Sequence, residues 1–292
     1  MIKVKESQAK TMLVRSKLPD ADFVVNPYTG CRFGCGYCYA SFMGRFVGEP
    51  IEAWGDYVYV KTNAVEVLTA ELARLNPAYR DSSVLLSSVT DPYQAAEAKY
   101  QLTRGILAAF GDNAYPGTVS LLTKAPMVTR DIDLLSRISR AEVGMTVTTT
   151  DDAISRWLEV RAPVTSRRLE ALRALRDAGV TTYAFVGPLL PHFRLRPDLL
   201  DDLFKQLSEV QVGSVYVEHI NLRGYIRSRL GQFLESQPRE VRDIYRAADG
   251  AEHRASLDRI VADIVDRYGI RLRLDQVIHH DTTIPGRGSD DA

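Results

Sequence analysis

The sequence has no excess of charge of either sign and no long apolar run. Lysine plus arginine and aspartate plus glutamate each number 37 in 292 residues, so the formal net charge is zero. The overall charge therefore provides no long-range attraction for a polyanion, which argues against a nucleic-acid partner. No stretch reaches about 18 consecutive apolar residues, and the opening segment MIKVKESQAK lacks the apolar core of a secretion signal. We expect a cytoplasmic, soluble protein with no membrane partner.

Cysteine is also scarce, and its distribution is uneven. The chain contains three cysteines, Cys31, Cys35 and Cys38, all within the stretch NPYTGCRFGCGYCYA. An odd number of clustered cysteines does not fit a disulfide framework and indicates a metal or redox role in a reducing compartment.

The remaining composition indicates a folded α/β protein. Hydrophobic residues make up 45% of the chain and charged residues 25%, enough for a substantial core. Short apolar runs rich in Val, Thr and Tyr alternate with segments of helical periodicity, which is typical of repeated βα units. The predicted strands are residues 23–28, 84–89, 118–123, 143–149, 181–187 and 214–220. The predicted helices between them are residues 64–75, 131–140, 167–178 and 196–209.

Six βα units are too few to close the usual eight-stranded barrel, so we predict an open, partial (β/α)6 TIM-type barrel. Residues 23–220 form this barrel in our interpretation, after an N-terminal extension of residues 1–22. Residues 221–292 form a mostly helical C-terminal extension. Within it, residues 270–277 (IRLRLDQV) alternate like a strand, and residues 282–292 have the composition of a disordered tail.

The cysteine spacing C-x3-C-x2-C restricts which inorganic group the loop can hold. A structural zinc site normally has four protein ligands, and neither a histidine nor a fourth cysteine lies nearby. An iron–sulfur cluster is held by thiolates, and three of them leave one iron open for a reactant. Gly30, Gly34 and Gly36 allow the loop to turn sharply around such a group. Zinc binding and inert cysteines remain the alternatives.

The segment CRFGCGYC resembles the signature of the radical S-adenosylmethionine (SAM) superfamily, including the aromatic Tyr37 before the last cysteine. The resemblance implies that Cys31, Cys35 and Cys38 hold a 4Fe-4S cluster whose open iron chelates the methionine part of SAM. An electron from a reducing partner, such as flavodoxin or ferredoxin, then breaks a sulfonium bond. The resulting 5′-deoxyadenosyl radical abstracts hydrogen from a substrate. Tyr37 is expected near the adenine.

The resemblance extends beyond the cysteine loop. The blocks NPYTGC, VTDPYQ, LTKA, TVTTTD, RAPVTSRRLEALRALRDAGV and VGPLLP occur in this order. Together they resemble the spore photoproduct lyase-like branch of the superfamily over roughly residues 24–191.

Two candidate SAM-binding residues follow predicted strands, at the end where βα barrels place their active sites. Lys124, after the third strand, could offer a cation to the SAM carboxylate, and Asp91, after the second, could accept from its ammonium group. Similar enzymes use residues from these strand ends. The structural alternatives are a turn started by Asp91 before Pro92 and a solvated lysine at position 124.

Three further residues are candidates for SAM binding. Thr148 lies at the end of the fourth strand and could bind the ribose, with Thr150 as its substitute because the sequence leaves the register open. The threonine run is also ordinary β-sheet composition. Arg168 is a second possible carboxylate clamp, or an arginine on the exposed side of its helix.

The chain departs from the spore photoproduct lyases in one respect. Those enzymes are understood to use a further cysteine to return hydrogen to the product radical, and this chain has none outside the loop. Tyr93, Tyr183 or Tyr216 could donate instead, or the reaction could need no protein donor. We therefore predict a radical SAM enzyme acting on a small organic substrate, such as a nucleoside or sugar derivative. The alternatives are DNA-lesion repair with a non-cysteine donor and a non-catalytic Fe-S redox sensor.

The histidines do not suggest a metal site from their spacing. His192, His219, His279 and His280 include no pair with the helical H-x3-H spacing. We therefore predict no histidine metal site. Glu218 and His219 lie towards the end of the sixth predicted strand, where a substrate could be contacted.

Overall fold

The main sheet consists of six parallel strands, as the βα rhythm predicts, and one short antiparallel strand at its edge. The computed structural model describes residues 2–280. Its strands are β1 (Lys3–Ser7), β2 (Val14–Arg15), β3 (Phe23–Val25), β4 (Tyr28–Thr29), β5 (Tyr57–Lys61), β6 (Val84–Leu86), β7 (Val119–Thr123), β8 (Ala141–Thr146), β9 (Thr181–Leu189) and β10 (Val215–His219). The main sheet has the order β10-β9-β8-β7-β6-β3-β2. All its pairings are parallel except that of β2, which is antiparallel to β3 at one edge. This is an α/β fold with an open, partial barrel, and the predicted fold class is confirmed.

Helices follow the strands and cover the sheet. They are α1 (Ala64–Ala73), α2 (Glu97–Tyr100), α3 (Leu102–Asp112), α4 (Ile132–Leu135), α5 (Asp152–Leu158), α6 (Thr165–Asp177), α7 (Pro197–Val210), α8 (Gly224–Leu234), α9 (Arg239–Arg246) and α10 (Ala251–Tyr268). Helix α7 shows why these segments fold as they do. Its first residue is Pro197, whose missing N–H costs nothing at that position. Its buried Leu200, Leu203, Phe204 and Leu207 recur at helical spacing and form one apolar face.

A second, three-stranded sheet supports the start of the cysteine loop. Strand β5 pairs in parallel with β1 and antiparallel with β4. The sequence did not predict this sheet, because β4 has two residues and β1 is exposed along most of its length. Strands β1 and β2, in the proposed N-terminal extension, thus pair with strands of the proposed barrel. The division into three parts stays a prediction.

The predicted strand at residues 270–277 is wrong. Residues Arg273–Asp275 form a 3-10 turn, in which Leu274 and Asp275 have φ angles of 61° and 53°. These left-handed conformations interrupt an extended chain. The segment still lies along β10, through single parallel bridges from Leu272 to Val215 and from Ile278 to Glu218. The predicted disordered tail, residues 282–292, lies outside the described residues.

Several predicted boundaries also shift. The strand expected at 84–89 ends at Leu86, because Ser87 has a φ of 69°. The helix expected at 131–140 is the short α4, preceded by the 3-10 helix Pro126–Asp131. Within residues 2–280, no helix is both long and apolar enough to cross a membrane.

Candidate functional site

The cysteine loop begins directly after β4 and ends at the 3-10 helix Tyr39–Val47. Gly30 has a φ of 90°, and a Cβ at this position would lie 2.5 Å from the Tyr57 carbonyl oxygen. Glycine is therefore required there, since both the conformation and the space exclude a side chain. Cys31 and Cys35 are buried, and Cys38 is partly buried.

Gln94 fixes the loop on both sides of Cys31. Its Nε2 donates to the Gly30 carbonyl at 3.1 Å, and its Oε1 accepts from the Arg32 N–H at 3.0 Å. The Thr90 hydroxyl donates to the same Gly30 carbonyl at 2.6 Å. The block VTDPYQ thus holds the backbone at the first cysteine, a role that its sequence alone did not reveal.

Helix α8, in the proposed C-terminal extension, covers the other side of the loop. A Cβ on Gly36 would lie 2.8 Å from the Phe233 ring, so the loop backbone and this ring are in close contact. Arg229 donates to the Ile51 carbonyl at 3.0 Å and to the Cys35 carbonyl at 3.5 Å. The Trp157 Nε1 donates to the Phe233 carbonyl at 2.7 Å and ties α5 to α8. No local pattern in the sequence predicts this cover, because it depends on the placement of α8.

The three thiols lie close enough to influence one another. Burial raises the pKa of Cys31, and the negative charges of Asp91, Cys35 and Cys38 raise it further. Burial also raises the pKa of Cys35 to about 12, opposed by the cation of Lys124. Three thiolates so buried need a positive partner, since an uncompensated charge is costly away from water. The donor set therefore fits an iron–sulfur group held by the three cysteines.

Glu159 lies at the centre of the polar groups beside the loop. This fully buried residue caps the end of α5. Its carboxylate accepts hydrogen bonds from the Tyr37 hydroxyl and from Arg168, and from the Thr148 hydroxyl at 3.2 Å. Burial alone would raise the pKa of Glu159, but the charges of Arg168 and Lys124 outweigh it and hold the pKa below its usual value. The structure thus joins Tyr37, Thr148 and Arg168 through a residue that the sequence analysis missed.

Lys124 reaches the same cluster from the end of β7. Its Nζ lies 4.0 Å from Glu159 Oε1 and 5.8 Å from the centre of the Tyr37 ring. Its side chain keeps 15% of its surface exposed, whereas that of Arg168 has none. Lys124 is therefore the cation of this cluster with access to solvent. Arg168 is not on an exposed helix face, and the carboxylate that it clamps belongs to the protein.

Asp91 orders the backbone around Lys124. Its Oδ2 accepts from the Lys124 N–H at 2.8 Å, and its Oδ1 accepts from the Thr123 hydroxyl at 2.7 Å and the Tyr93 N–H at 2.9 Å. Burial raises the pKa of Asp91, opposed by these hydrogen bonds and by the Lys124 charge. A carboxylate can accept about four hydrogen bonds, so the three bonds made to Asp91 among residues 2–280 leave one acceptor position.

At the end of β8, the hydroxyl groups of Thr148 and Thr150 have different partners, and the choice between them as a SAM-binding residue stays a prediction. The Thr150 hydroxyl instead donates to Asp202 at 2.6 Å, on α7. Thr148 contacts Glu159, whereas Thr150 is directed to a helix on the outside of the sheet.

The candidate hydrogen donors lie elsewhere. The Tyr93 hydroxyl donates to Asp131 at 3.0 Å, and its side chain is almost fully buried. The Tyr216 hydroxyl contacts Asp20, which precedes β3, so this group lies towards the amino-terminal ends of the strands. Tyr183 packs edge-on against Tyr216, with ring centres 5.6 Å apart. None of the three makes a hydrogen bond to the cysteine loop among the described residues, and their role as donors stays a prediction.

Comparison with known proteins places this arrangement in a family. Residues 25–203 match the model of the radical SAM superfamily. The chain belongs to this superfamily, as its cysteine motif predicts, and it is an enzyme of this class. Membership implies a 4Fe-4S cluster and S-adenosylmethionine as cofactors. Members of the class also require a reductant.

Two relatives each match about two thirds or more of this chain. The chain is 32% identical to the uncharacterized protein MJ0683 of Methanocaldococcus jannaschii over 200 residues, which cover 68% of this chain and 70% of that protein. It is 31% identical to the uncharacterized protein Rv2578c of Mycobacterium tuberculosis over 268 residues, covering 87% and 78% of the two chains.

Among solved structures, the chain is similar to spore photoproduct lyase complexed with dinucleoside spore photoproduct. The TM-score is 0.69 at 14% sequence identity, covering 92% of this chain and 81% of the lyase. This likeness shows a shared fold, including the C-terminal part beyond the family match.

Proposed function

We propose that Cys31, Cys35 and Cys38 hold the 4Fe-4S cluster and that the polar groups around Glu159 bind SAM beside it. The observation that supports this most strongly is the position of Lys124. Its ammonium group lies beside the buried Glu159 and Arg168, whose charges balance each other. The positive charge of Lys124 also opposes the rise that burial causes in the pKa values of Cys35 and Cys38. When bound, the cluster and SAM supply the 5′-deoxyadenosyl radical that abstracts hydrogen from a substrate.

The protein's own residues divide the task of holding SAM. Lys124 offers the accessible cation for the SAM carboxylate. Tyr37 and Thr148 present hydroxyl groups beside it, for the adenine and ribose region. Glu159 and Arg168 position the Tyr37 and Thr148 hydroxyl groups and do not bind SAM themselves, since their own charges are paired with each other. The remaining acceptor position on Asp91 suits the SAM ammonium group.

The substrate that we propose is a small organic molecule, such as a nucleoside or sugar derivative. All three cysteines lie in the loop, so none remains to return hydrogen to a product radical. A reaction whose product radical takes hydrogen back from 5′-deoxyadenosine, is oxidised or fragments needs no such thiol. We propose a flavodoxin or ferredoxin as the reducing partner.

The test begins with the cluster. Anaerobic reconstitution should give about four irons per chain, and Cys→Ala at position 31, 35 or 38 should abolish this. Reduction in the presence of SAM should release 5′-deoxyadenosine. Retention of a full, cleavage-competent cluster in all three variants would refute the assignment. A cluster that forms without any release of 5′-deoxyadenosine would instead indicate a redox sensor.

A second experiment identifies the substrate class. Turnover with deuterated nucleosides and sugars should transfer deuterium to 5′-deoxyadenosine when the correct compound is present. If only lesion-containing DNA transferred the label, the enzyme would be a repair lyase with a non-cysteine donor.

A further inference from the structure

A cluster of three metal-ligating side chains lies outside the cysteine site. His219 ends β10, Asp258 lies on α10, and His279 lies in the segment after the 3-10 turn. Their ligand atoms all lie within 4.8 Å of one another. His219 Nε2 is 2.8 Å from Asp258 Oδ1, and His279 Nε2 is 3.3 Å from Asp258 Oδ2. The two imidazole rings have centres 4.5 Å apart.

We propose that His219, Asp258 and His279 form a second metal site, which binds a divalent transition metal such as Zn²⁺. Two imidazoles and one carboxylate are a donor set that zinc accepts, with a fourth position left for water. Ligand atoms around a tetrahedral zinc at about 2.0–2.2 Å are separated by roughly 3.3–3.6 Å, so small movements bring these atoms into position. About a third of the Asp258 side chain and nearly half of that of His279 are exposed, which leaves a path for the ion.

The backbone brings these ligands together. The His219 N–H donates to the Ile278 carbonyl at 2.9 Å, and the Ile278 N–H donates to the Val217 carbonyl at 2.8 Å. These bonds place His279 beside His219, although 60 positions of chain separate their segments. Asp258 follows the buried Leu257, at the border of the α10 face that packs on the fold. The H-x3-H spacing that we sought in the sequence detects two ligands on one helix. It could not detect three ligands that lie on three different segments.

The metal would hold the C-terminal segment on the open edge of the sheet. Strand β10 lies at the edge of the sheet. Among the described residues, the segment 270–280 pairs with this strand through only two bridges, at Leu272 and Ile278. The left-handed residues between them interrupt the pairing. An edge covered by so few bonds opens readily. One ion that joins β10, α10 and the segment would close it.

Direct metal analysis of the full-length enzyme with its reconstituted cluster tests the site. At low-micromolar free Zn²⁺, the wild type should bind one zinc per chain while keeping its iron. His279→Ala and Asp258→Asn should weaken zinc binding at least about 100-fold with the iron content unchanged. His280→Ala is the matched control, because this neighbouring imidazole pairs with Glu218 and lies outside the cluster. It should keep the zinc.

Two further measurements separate this site from the cysteines and from a purely hydrogen-bonded cluster. Zinc X-ray absorption should show nitrogen and oxygen ligands, and hydrogen exchange at the Ile278 N–H should slow when zinc is added. A wild type that binds no zinc, zinc bound through sulfur, or equal zinc in His279→Ala would overturn the proposal. Iron content and 5′-deoxyadenosine release report on the cysteine site separately, so failure of one assignment leaves the other testable.

Discussion

Arg168 and Glu159 form an ion pair in which neither side chain is exposed to solvent. Arg168 also donates to the Pro163 carbonyl at 2.8 Å and to the Thr146 carbonyl at 3.0 Å, so its guanidinium is fully engaged by the protein. A buried pair of this kind is costly to break, because the remaining charge has neither water nor a partner. The pair therefore fixes the position of the Glu159 carboxylate, to which the hydroxyl groups of Tyr37 and Thr148 donate hydrogen bonds.

Glu159→Gln should lower the free energy of unfolding by about 3–5 kcal/mol, because it leaves the Arg168 charge buried and unpaired. Denaturant unfolding of the apoprotein measures this. Glu170→Gln is the matched control, since Glu170 pairs with Arg167 on the exposed side of α6 at 3.1 Å. Its effect should be negligible. Equal losses in the two variants would contradict a special role for the buried pair.

Lys124→Ala should weaken SAM binding roughly tenfold to a hundredfold, as expected for the loss of a charged hydrogen bond. The iron content should not change, because the lysine is not a cluster ligand. Equilibrium dialysis with labelled SAM and iron analysis measure the two effects separately. Lys205→Ala, which removes an exposed lysine on α7, is the control. Unchanged SAM affinity in Lys124→Ala would remove this residue from the site.

Gly36→Ala should loosen the cysteine loop, because the added methyl group would overlap the Phe233 ring. We expect faster loss of iron to a chelator. Combining Gly36→Ala with Phe233→Leu should restore part of the retention by making room. Gly231→Ala, on α8 but with open space around it, should retain iron like the wild type. If the double variant lost iron as fast as Gly36→Ala, steric overlap would not be the cause.

Stability should decrease in mild acid because of His192. Burial lowers its pKa to about 4, from 6.5 for an ordinary histidine. Between these values the unfolded chain binds a proton that the native protein does not, so the free energy of unfolding falls as the pH falls. The contribution lost by pH 5 is about 2 kcal/mol.

A pair of variants isolates this effect. His192→Leu should flatten the decline between pH 7 and pH 5 relative to the wild type. Tyr245→Phe removes the hydroxyl that lies 3.1 Å from His192 Nδ1 but keeps the imidazole, so the decline should persist. Identical pH dependence in wild type and His192→Leu would refute the assignment.

Local patterns in the sequence were enough to predict the sheet but not the complete site. Parallel, buried strands read as apolar runs between helical periods, so the six parallel strands of the main sheet could be predicted from the sequence. The cysteine motif and Lys124 were also visible, because they lie in recognisable blocks at strand ends. Glu159 was missed because it ends a short helix in no motif, and its importance arises only from the residues that surround it.

The covering of the cysteine loop by α8 also could not be predicted from the sequence. It depends on contacts between residues far apart in the chain, such as Arg229 with the Cys35 carbonyl, and neither residue carries a local signal of the other. The same holds for His219 and His279, which meet because a segment that is irregular in conformation returns along β10.

The contact between Arg229 and the Cys35 carbonyl spans 194 positions of chain. During synthesis, the cysteines emerge from the ribosome well before the helix that covers them. We therefore expect the nascent chain to expose its thiol loop until α8 has been translated. If the cluster is inserted before α8 docks, the loop is open to receive it, whereas a chain in which α8 has already docked would have to displace this helix to receive iron.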